Sequence, residues 1–347
     1  MIDEEFAVEG ATGGRVTVLP GFRHPERGAV RCPAAPLLAA WLRRRGVDAV
    51  VGTVGIVGGA LEAPAAASGV VAATFFDGSV GMGLAAAADG EQLPHARAAV
   101  AAWSSVLRTR RILLPAPVAS CTVADRYASP MPRPRSATPH SHDCLRVGQA
   151  FQSLRRFAER GDTVLLIGAG PLLSLPASAH RARVVAVNSL DTARSVRIAD
   201  PAGISFVLRP CTLIEEAVEI LAVLRSRFPM LRGQHPDEWC YSAEDDRAAA
   251  RSVAGRSDVT LLLPGGGEPP AAARRTVRLA SLADLYPGHL RDVATVAVIG
   301  GDESGHDGLT REMAVQVING LGPVSAVEFQ ATSRILPQRA ARAVRQR

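Results

Sequence analysis

Lysine is absent from the 347 residues: all 39 basic side chains are arginine. That excludes lysine Schiff bases, lysine-anchored pyridoxal phosphate and a Walker lysine. Aromatic residues make up only 4% of the chain, so its core has to be built from Ala, Val and Leu. No uncharged apolar run of about 18 residues occurs, which argues against a transmembrane helix. The first ten residues, MIDEEFAVEG, are acidic and lack the apolar stretch of a secretory signal. A cytoplasmic location is expected from this.

What is present is an ordinary globular balance, 47% hydrophobic and 21% charged, which excludes wholesale disorder. The length suits two or three domains. Net charge is +6, and residues 334–347, RILPQRAARAVRQR, carry five arginines and no acid. That stretch reads either as a solvated terminus or as a contact with anionic lipid at a membrane surface. No nucleic-acid-binding motif accompanies the charge, so no nucleic-acid partner is expected.

Short β-branched runs alternate with Ala/Leu/Arg helical stretches, the pattern of parallel α/β structure. Strands are expected over 15–20, 48–54, 69–76 and 111–117, and helices over 34–45 and 94–108. A loop rich in Pro, Ser and His follows at 129–143. A second unit has helices at 146–159 and 212–228 and strands at 162–170, 182–189 and 204–210. A third has helices at 242–255 and 309–320 and strands at 258–264, 275–280 and 293–300.

Five cysteines, Cys32, Cys121, Cys144, Cys211 and Cys240, occur in a chain with a reducing-compartment profile. Disulfides are disfavoured there; metal ligation, catalysis or plain burial remain. Cys121, Cys144 and Cys240 each stand near the start of an expected helix. Backbone N–H groups and the helix dipole favour thiolate at such positions. Three units around a common centre could present all three thiols to one metal or iron–sulfur cluster. Three separately buried small side chains are the alternative.

Residues 227–266, RFPMLRGQHPDEWCYSAEDDRAAARSVAGRSDVTLLLPGG, resemble the third-lobe entrance of the hydroxymethylbutenyl diphosphate reductases, the LytB/IspH family. There, an Arg/Lys-Phe-Pro run leads to Asp-Ile-Cys-Tyr-Ala-Thr. LRPCTLIEEAVEIL (208–221) is similar to that family's Gln-Thr-Thr-Leu-Ser segment, and FAERGDTVLLIGAG (157–170) to its second-lobe strand. RILLPAPVASCTVADRYA (111–128) resembles its opening strand, Cys loop and first helix. YPGHLRDVATVAVIGGDESGHDGLTREM (286–313) resembles a late segment of the family. The resemblance spans roughly 110–330.

It implies three α/β lobes around an iron–sulfur cluster, one cysteine from each lobe, and reductive removal of an allylic hydroxyl. The expected fold is therefore α/β, with three lobes of short, mostly parallel sheets around a central metal or cluster cleft. The expected lobes are 1–128, 144–235 and 236–330, followed by an Arg-rich tail at 331–347. The implied ligands are Cys121, Cys144 and Cys240, for a 4Fe-4S cluster or another thiophilic metal such as zinc. Cys121 and Cys144 lie only 23 positions apart, far closer than in the family, and Cys32 is a rival first ligand. Cys211 occupies the place of the family's catalytic-region Thr and is expected to touch substrate, with Thr212 beside it as the candidate catalytic residue. Ser304 corresponds to the family's late Ser.

The family holds diphosphate with His-Gly, His-Pro-Glu and Asn-Ser-Ser-Asn-Ser motifs. Here the matching strands end GAGPLLSLPA (168–177) and LLPGGGEPPAAA (262–273), with none of those groups. GDESGHDG (301–308) offers Glu303 and His306 as candidate proton donors; a charged loop tip is the alternative. HSHDC (140–144) reads as a local metal motif or as a polar lead into a helix. GAGP (168–171) lacks the rest of a dinucleotide fingerprint. Residues 46–74 resemble the nucleoside phosphorylase/nucleosidase family in their Asp-Ala-Val-Val and Gly-Gly elements, without that family's later purine and ribose segment.

These readings lead to a metal-dependent reductase of altered substrate, a ribose-bearing isoprenoid such as a hopanoid lipid. A ferredoxin- or flavodoxin-type electron donor is implied. The ordinary diphosphate reductase, a nucleoside-cleaving enzyme and an inactive scaffold are the alternatives.

Overall fold

The computed structural model describes residues 4–9, 14–24, 26–60, 69–116, 145–168, 183–301 and 308–331. Two compact units are drawn from the chain: 1–115 with 250–329, and 116–249 with 330–347.

The first unit opens with β1 (Glu4–Glu9), β2 (Val16–Val18) and a hairpin of β3 (Gly21–His24) and β4 (Gly28–Arg31). α1 (Ala35–Arg43), β5 (Ala49–Val51), β6 (Gly55–Ala60), β7 (Gly69–Phe75) and β8 (Gly81–Ala87) follow. α2 (Leu93–Ser104) and β9 (Arg110–Pro115) complete this half. Six of these strands form one sheet in the order β5-β2-β8-β7-β1-β6. Its pairings are antiparallel except for β2 with β5. This sheet corrects the expectation of a mostly parallel arrangement in the N-terminal lobe.

The local causes are plain. In α1 a proline sits in the first turn, where no N–H is needed, and Leu37, Leu38, Trp41 and Leu42 form a buried stripe. α2 buries Ala96, Ala99, Val100 and Trp103, and the Trp41 and Trp103 rings meet edge to face at 6.3 Å. β8, GMGLAAA, is buried along its whole length, so its small side chains face packed layers rather than water.

The second unit contains α3 (Leu145–Glu159), β10 (Thr163–Ile167), β11 (Val184–Val187) and α4 (Leu190–Ser195). β12 (Ile204–Leu208), α5 (Ile214–Arg227), β13 (Arg232–Gly233) and the first residues of α6 (Ser242–Gly255) complete it. Its sheet has the order β11-β10-β12-β13 and is parallel throughout. All five residues of β12 are buried, as a strand covered on both faces requires. At the amino end of this sheet, buried Asp162 accepts from Ser205 Oγ at 2.5 Å, Arg160 at 2.9 Å and Arg232 at 3.1 Å. Burial alone would raise its carboxyl pKa, but these donors outweigh it and hold the value below the usual 3.8.

Returning to the first unit, β14 (Val259–Leu262), β15 (Thr276–Arg278), α7 (Pro287–Leu290), β16 (Thr295–Ile299), α8 (Arg311–Asn319) and β17 (Val324–Phe329) build the third main sheet. Its order is β15-β14-β16-β9-β17, again parallel. β9, which the sequence reading groups with the N-terminal lobe, is hydrogen-bonded on both sides within this sheet. Arg110, at its start, is buried and donates to the carbonyls of Leu321 and Leu290; desolvation pushes its pKa down to about 10. No described helix is long and apolar enough to cross a membrane.

Candidate functional site

The carboxyl ends of all four strands in the second unit's sheet are tied together by polar side chains. This is the edge where parallel α/β sheets usually place their sites. Ile167 of β10 lies in register with both Leu208 of β12 and Val187 of β11, so Gly168, Arg209 and Asn188 emerge side by side. Arg209 Nη1 donates to Gly168 O at 2.6 Å and to Asn188 Oδ1 at 3.2 Å. From just past β13, Gln234 Oε1 accepts from Leu208 N at 2.8 Å. Arg209 is buried, these two acceptors are neutral, and desolvation lowers its pKa.

The chain then turns sharply. Thr212 N donates to Arg209 O at 3.3 Å, closing a four-residue turn with Pro210 in its second position. Cys211, the third residue, has φ 59°. Proline followed by a positive φ is the pattern of a type II turn, whose third position favours Gly or Asn. A cysteine held there costs about 1–2 kcal/mol of backbone strain. The turn sits against Gly168, whose φ is +99°; a Cβ there would lie 2.2 Å from both Thr212 Oγ1 and Cγ2. Glycine is thus required at the end of β10 on two counts. Thr212 is 4% exposed, and its Oγ1 has no hydrogen-bond partner among the described residues.

Cys240 comes to the same place from the segment that precedes α6. Its Sγ lies 3.8 Å from Cys211 Sγ and donates to Ser242 Oγ at 3.4 Å. It is buried and stands two residues before α6, where the helix dipole favours negative charge. The segment leading to it is seated on α3: Arg146 Nη1 donates to Asp237 O at 2.6 Å, and Ser153 Oγ to Glu238 Oε2 at 2.9 Å. Tyr241 follows; burial, with Asp237 nearby, raises its phenol pKa, so it stays protonated.

Of the residues expected from sequence, the structure therefore brings together Cys211, Thr212 and Cys240. Cys121, Cys144, Glu303, Ser304 and His306 lie outside the described residues, as do HSHDC and the 334–347 stretch. Cys32 is a core residue: it is 1% exposed among Leu, Val and Ala side chains, and burial pushes its thiol up to about 12. A thiol held neutral in that way is a poor metal ligand, which argues against it as the rival first cysteine. Among the described residues, no group of three or more His, Cys, Asp or Glu is arranged to hold a metal ion. Sequence reasoning placed no arginine at these strand ends; Arg209 is there. Its signal was its position, immediately after the apolar run ISFVL and before Pro-Cys-Thr.

A mixed α/β protein with two thiols, a hydroxyl and a buried guanidinium at one parallel-sheet edge is the class these features define. The sequence relatives point the same way. A 4-hydroxy-3-methylbut-2-enyl diphosphate reductase of Ruegeria pomeroyi is 27% identical over 177 residues, 46% of this chain and 54% of that one. That of Acidothermus cellulolyticus is 27% identical over 159 residues, 44% and 45% of the two chains. A Mycobacterium tuberculosis reductase of the same name is 28% identical over 173 residues, 46% and 51%. The resemblance to the LytB/IspH reductases is thus borne out. The chain spans about half the length of the curated relatives it matches. No protein-family model matches it. Two solved structures are partly similar: the Plasmodium falciparum E-1-hydroxy-2-methyl-but-2-enyl-4-diphosphate reductase has a TM-score of 0.39 at 13% identity, covering 55% of this chain and 64% of that one. An (E)-4-hydroxy-3-methyl-but-2-enyl diphosphate reductase has 0.35 at 14%, covering 51% and 65%.

Proposed function

We propose that this protein is a LytB/IspH-like reductase that removes an allylic hydroxyl from an isoprenoid whose polar group is not a diphosphate. The observation that carries the reading is the meeting of Cys240, Cys211 and Thr212 at the strand ends. The resemblance assigns a cluster cysteine to the first of these positions and the substrate-facing segment to the other two. A thiol pair suits a thiophilic metal or an iron–sulfur cluster. Cys240 would hold that group, with Cys144 and Cys121 as the further ligands the resemblance implies. The hydrogen bond from Arg146 to Asp237 anchors the first turn of α3 to the segment before Cys240.

Such a cluster supplies electrons singly and can polarise a hydroxyl oxygen. Net removal of the hydroxyl takes two electrons and two protons and releases water; a ferredoxin- or flavodoxin-type donor would supply the electrons. Thr212 Oγ1, buried and without a described partner, is positioned to hydrogen-bond a substrate hydroxyl. Tyr241, kept protonated by burial, is a proton source beside Cys240. Glu303 and His306 are further candidates from sequence.

The substrate follows from what the strand ends lack. GAGPLLSLPA and PGGGEPPAAA replace the family's diphosphate motifs with small, apolar residues. A ribose-bearing isoprenoid of the hopanoid kind suits those loops and the nucleoside-phosphorylase-like N-terminal stretch. One observation favours the ordinary diphosphate substrate instead: Arg209 keeps a buried positive charge at the same edge. The test is an anaerobic, reconstituted, dithionite-reduced assay offering hydroxymethylbutenyl diphosphate and a ribosylated hopanoid side by side. Turnover of the lipid is expected. Turnover of the diphosphate alone would refute the altered-substrate reading, and turnover of neither with an intact cluster would refute both.

A further inference from the structure

We propose that Arg209 and Gln234 form a subsite for a single carboxylate on the substrate. Both stand at the carboxyl end of the second unit's sheet, and both are more than nine-tenths buried, at 6% and 4% exposed. Each presents a donor with no acceptor among the described residues, Arg209 through Nε and Gln234 through Nε2.

The neighbouring bonds fix which groups stay unpaired. Leu208 N is a donor, so the Gln234 side-chain oxygen has to face it, at 2.8 Å. The two N–H bonds of that amide are then turned away from the β12 backbone. Arg209 is the next residue along β12. Its Nη1 carries the bonds to Gly168 O and Asn188 Oδ1. The opposite edge of the guanidinium, Nε with Nη2, is the one that grips a carboxylate through two parallel N–H bonds. Adjacent strand ends thus offer donors, and the complement of donors is an oxyanion.

Charge argues the same way. A guanidinium that only tied strand ends together would bury its charge at a cost that a neutral amide avoids. Both acceptors of Arg209 are neutral, and desolvation lowers its pKa with no described carboxylate to offset it. A ligand carboxylate supplies the counter-charge. One guanidinium balances one negative charge, whereas a diphosphate brings two or three. The subsite deepens the reading above and rests on it only for calling the ligand an isoprenoid substrate. A ribose-derived head group bearing one carboxylate satisfies both these donors and the apolar loops.

The test is calorimetric titration of the full, anaerobically reconstituted chain with geranate, geraniol and geranyl diphosphate, which share one isoprenoid tail and differ in head group. Geranate is expected to bind on the order of tenfold or more tighter than geraniol, and tighter than the diphosphate. Gln234→Glu keeps an acceptor for Leu208 N and sets a fixed negative charge beside Arg209. It should remove the advantage of geranate and leave geraniol binding where it was. Arg209→Lys keeps the charge but loses the fork, and should weaken geranate by a similar factor. Because Arg209 also ties the strand ends, the near-isosteric Gln234→Glu decides. Geranate binding no tighter than geraniol would overturn the proposal. So would tighter binding of the diphosphate, or geranate binding untouched by Gln234→Glu. The two readings fail separately. The expected pattern in a chain that assembles no iron and sulfide would sink the reductase reading and leave the subsite. A reductase that turns over substrate yet binds geranate and geraniol equally would do the reverse.

Discussion

Gly168→Ala is the sharpest perturbation of the candidate site, because one methyl group strikes it without removing any of its chemistry. Two costs add. The residue has φ +99°, which an L side chain resists by about 1–2 kcal/mol. The new Cβ would also stand 2.2 Å from Thr212 Oγ1 and Cγ2 and 2.7 Å from its Cβ, so Thr212 has to move. Overpacking of this kind costs about 1–3 kcal/mol. The expected loss is therefore about 2–5 kcal/mol, read as a lower denaturant midpoint with unchanged slope. The contact predicts more than a sum. Thr212→Ala removes the two closest atoms, so the Gly168→Ala penalty should shrink in that background by about 1 kcal/mol or more. The backbone share should survive in both backgrounds. Strict additivity of the two substitutions would refute the idea that Gly168 seats this turn.

Three further outcomes are expected. Asp162→Asn should destabilise the chain by about 2–3 kcal/mol at neutral pH, most of it from the buried hydrogen bond with Ser205, because Arg160 and Arg232 are half exposed. Its carboxyl pKa is lowered in the fold, so this stabilisation is present above the ordinary 3.8 and fades as pH falls through the folded value; the gap between wild type and variant should close in acid melts. Cys32, with its thiol raised to about 12, should resist alkylation in the native chain, and Cys32→Ala should leave metal content unchanged; lost metal in that variant would restore Cys32 as a ligand. Deleting residues 334–347 should weaken binding to anionic vesicles in a salt-sensitive way and leave neutral vesicles unaffected; equal flotation of both chains would remove the membrane role.

The units that sequence foresaw and those it missed divide along a physical line. β10, β12, β14 and β16 are runs of Val, Ile and Leu buried on both faces, and α5 has a clear helical period; such patterns need no tertiary context. β8 is Gly and Ala, β1 carries three acids in six residues, and β13 is two residues long. None carries a strand signal of its own, and each becomes a strand because its neighbours supply the partner. The antiparallel character of the N-terminal sheet stayed hidden for the same reason. Strand direction is set by connections, and the two strands at its centre are joined by the short, glycine-containing link 76–80 rather than by a helix.

The site was legible in part. Thiolates before helices drew attention to Cys240, and the family resemblance placed Cys211 and Thr212 where substrate was expected. What spacing could not show is that positions 211 and 240, in different expected lobes, meet at one sheet edge. Their approach depends on three facts that exist only in the fold: the register of β10 with β12, the Arg209 bonds across the strand ends, and the seating of the 236–239 segment on α3. Relieving the strained turn at Cys211 with Gly or Asn would be worth about 1–2 kcal/mol. In this chain the turn carries a thiol, and that thiol faces a second one. A strained turn that sets one thiol against another is the feature of this edge on which the proposed reductase reading depends.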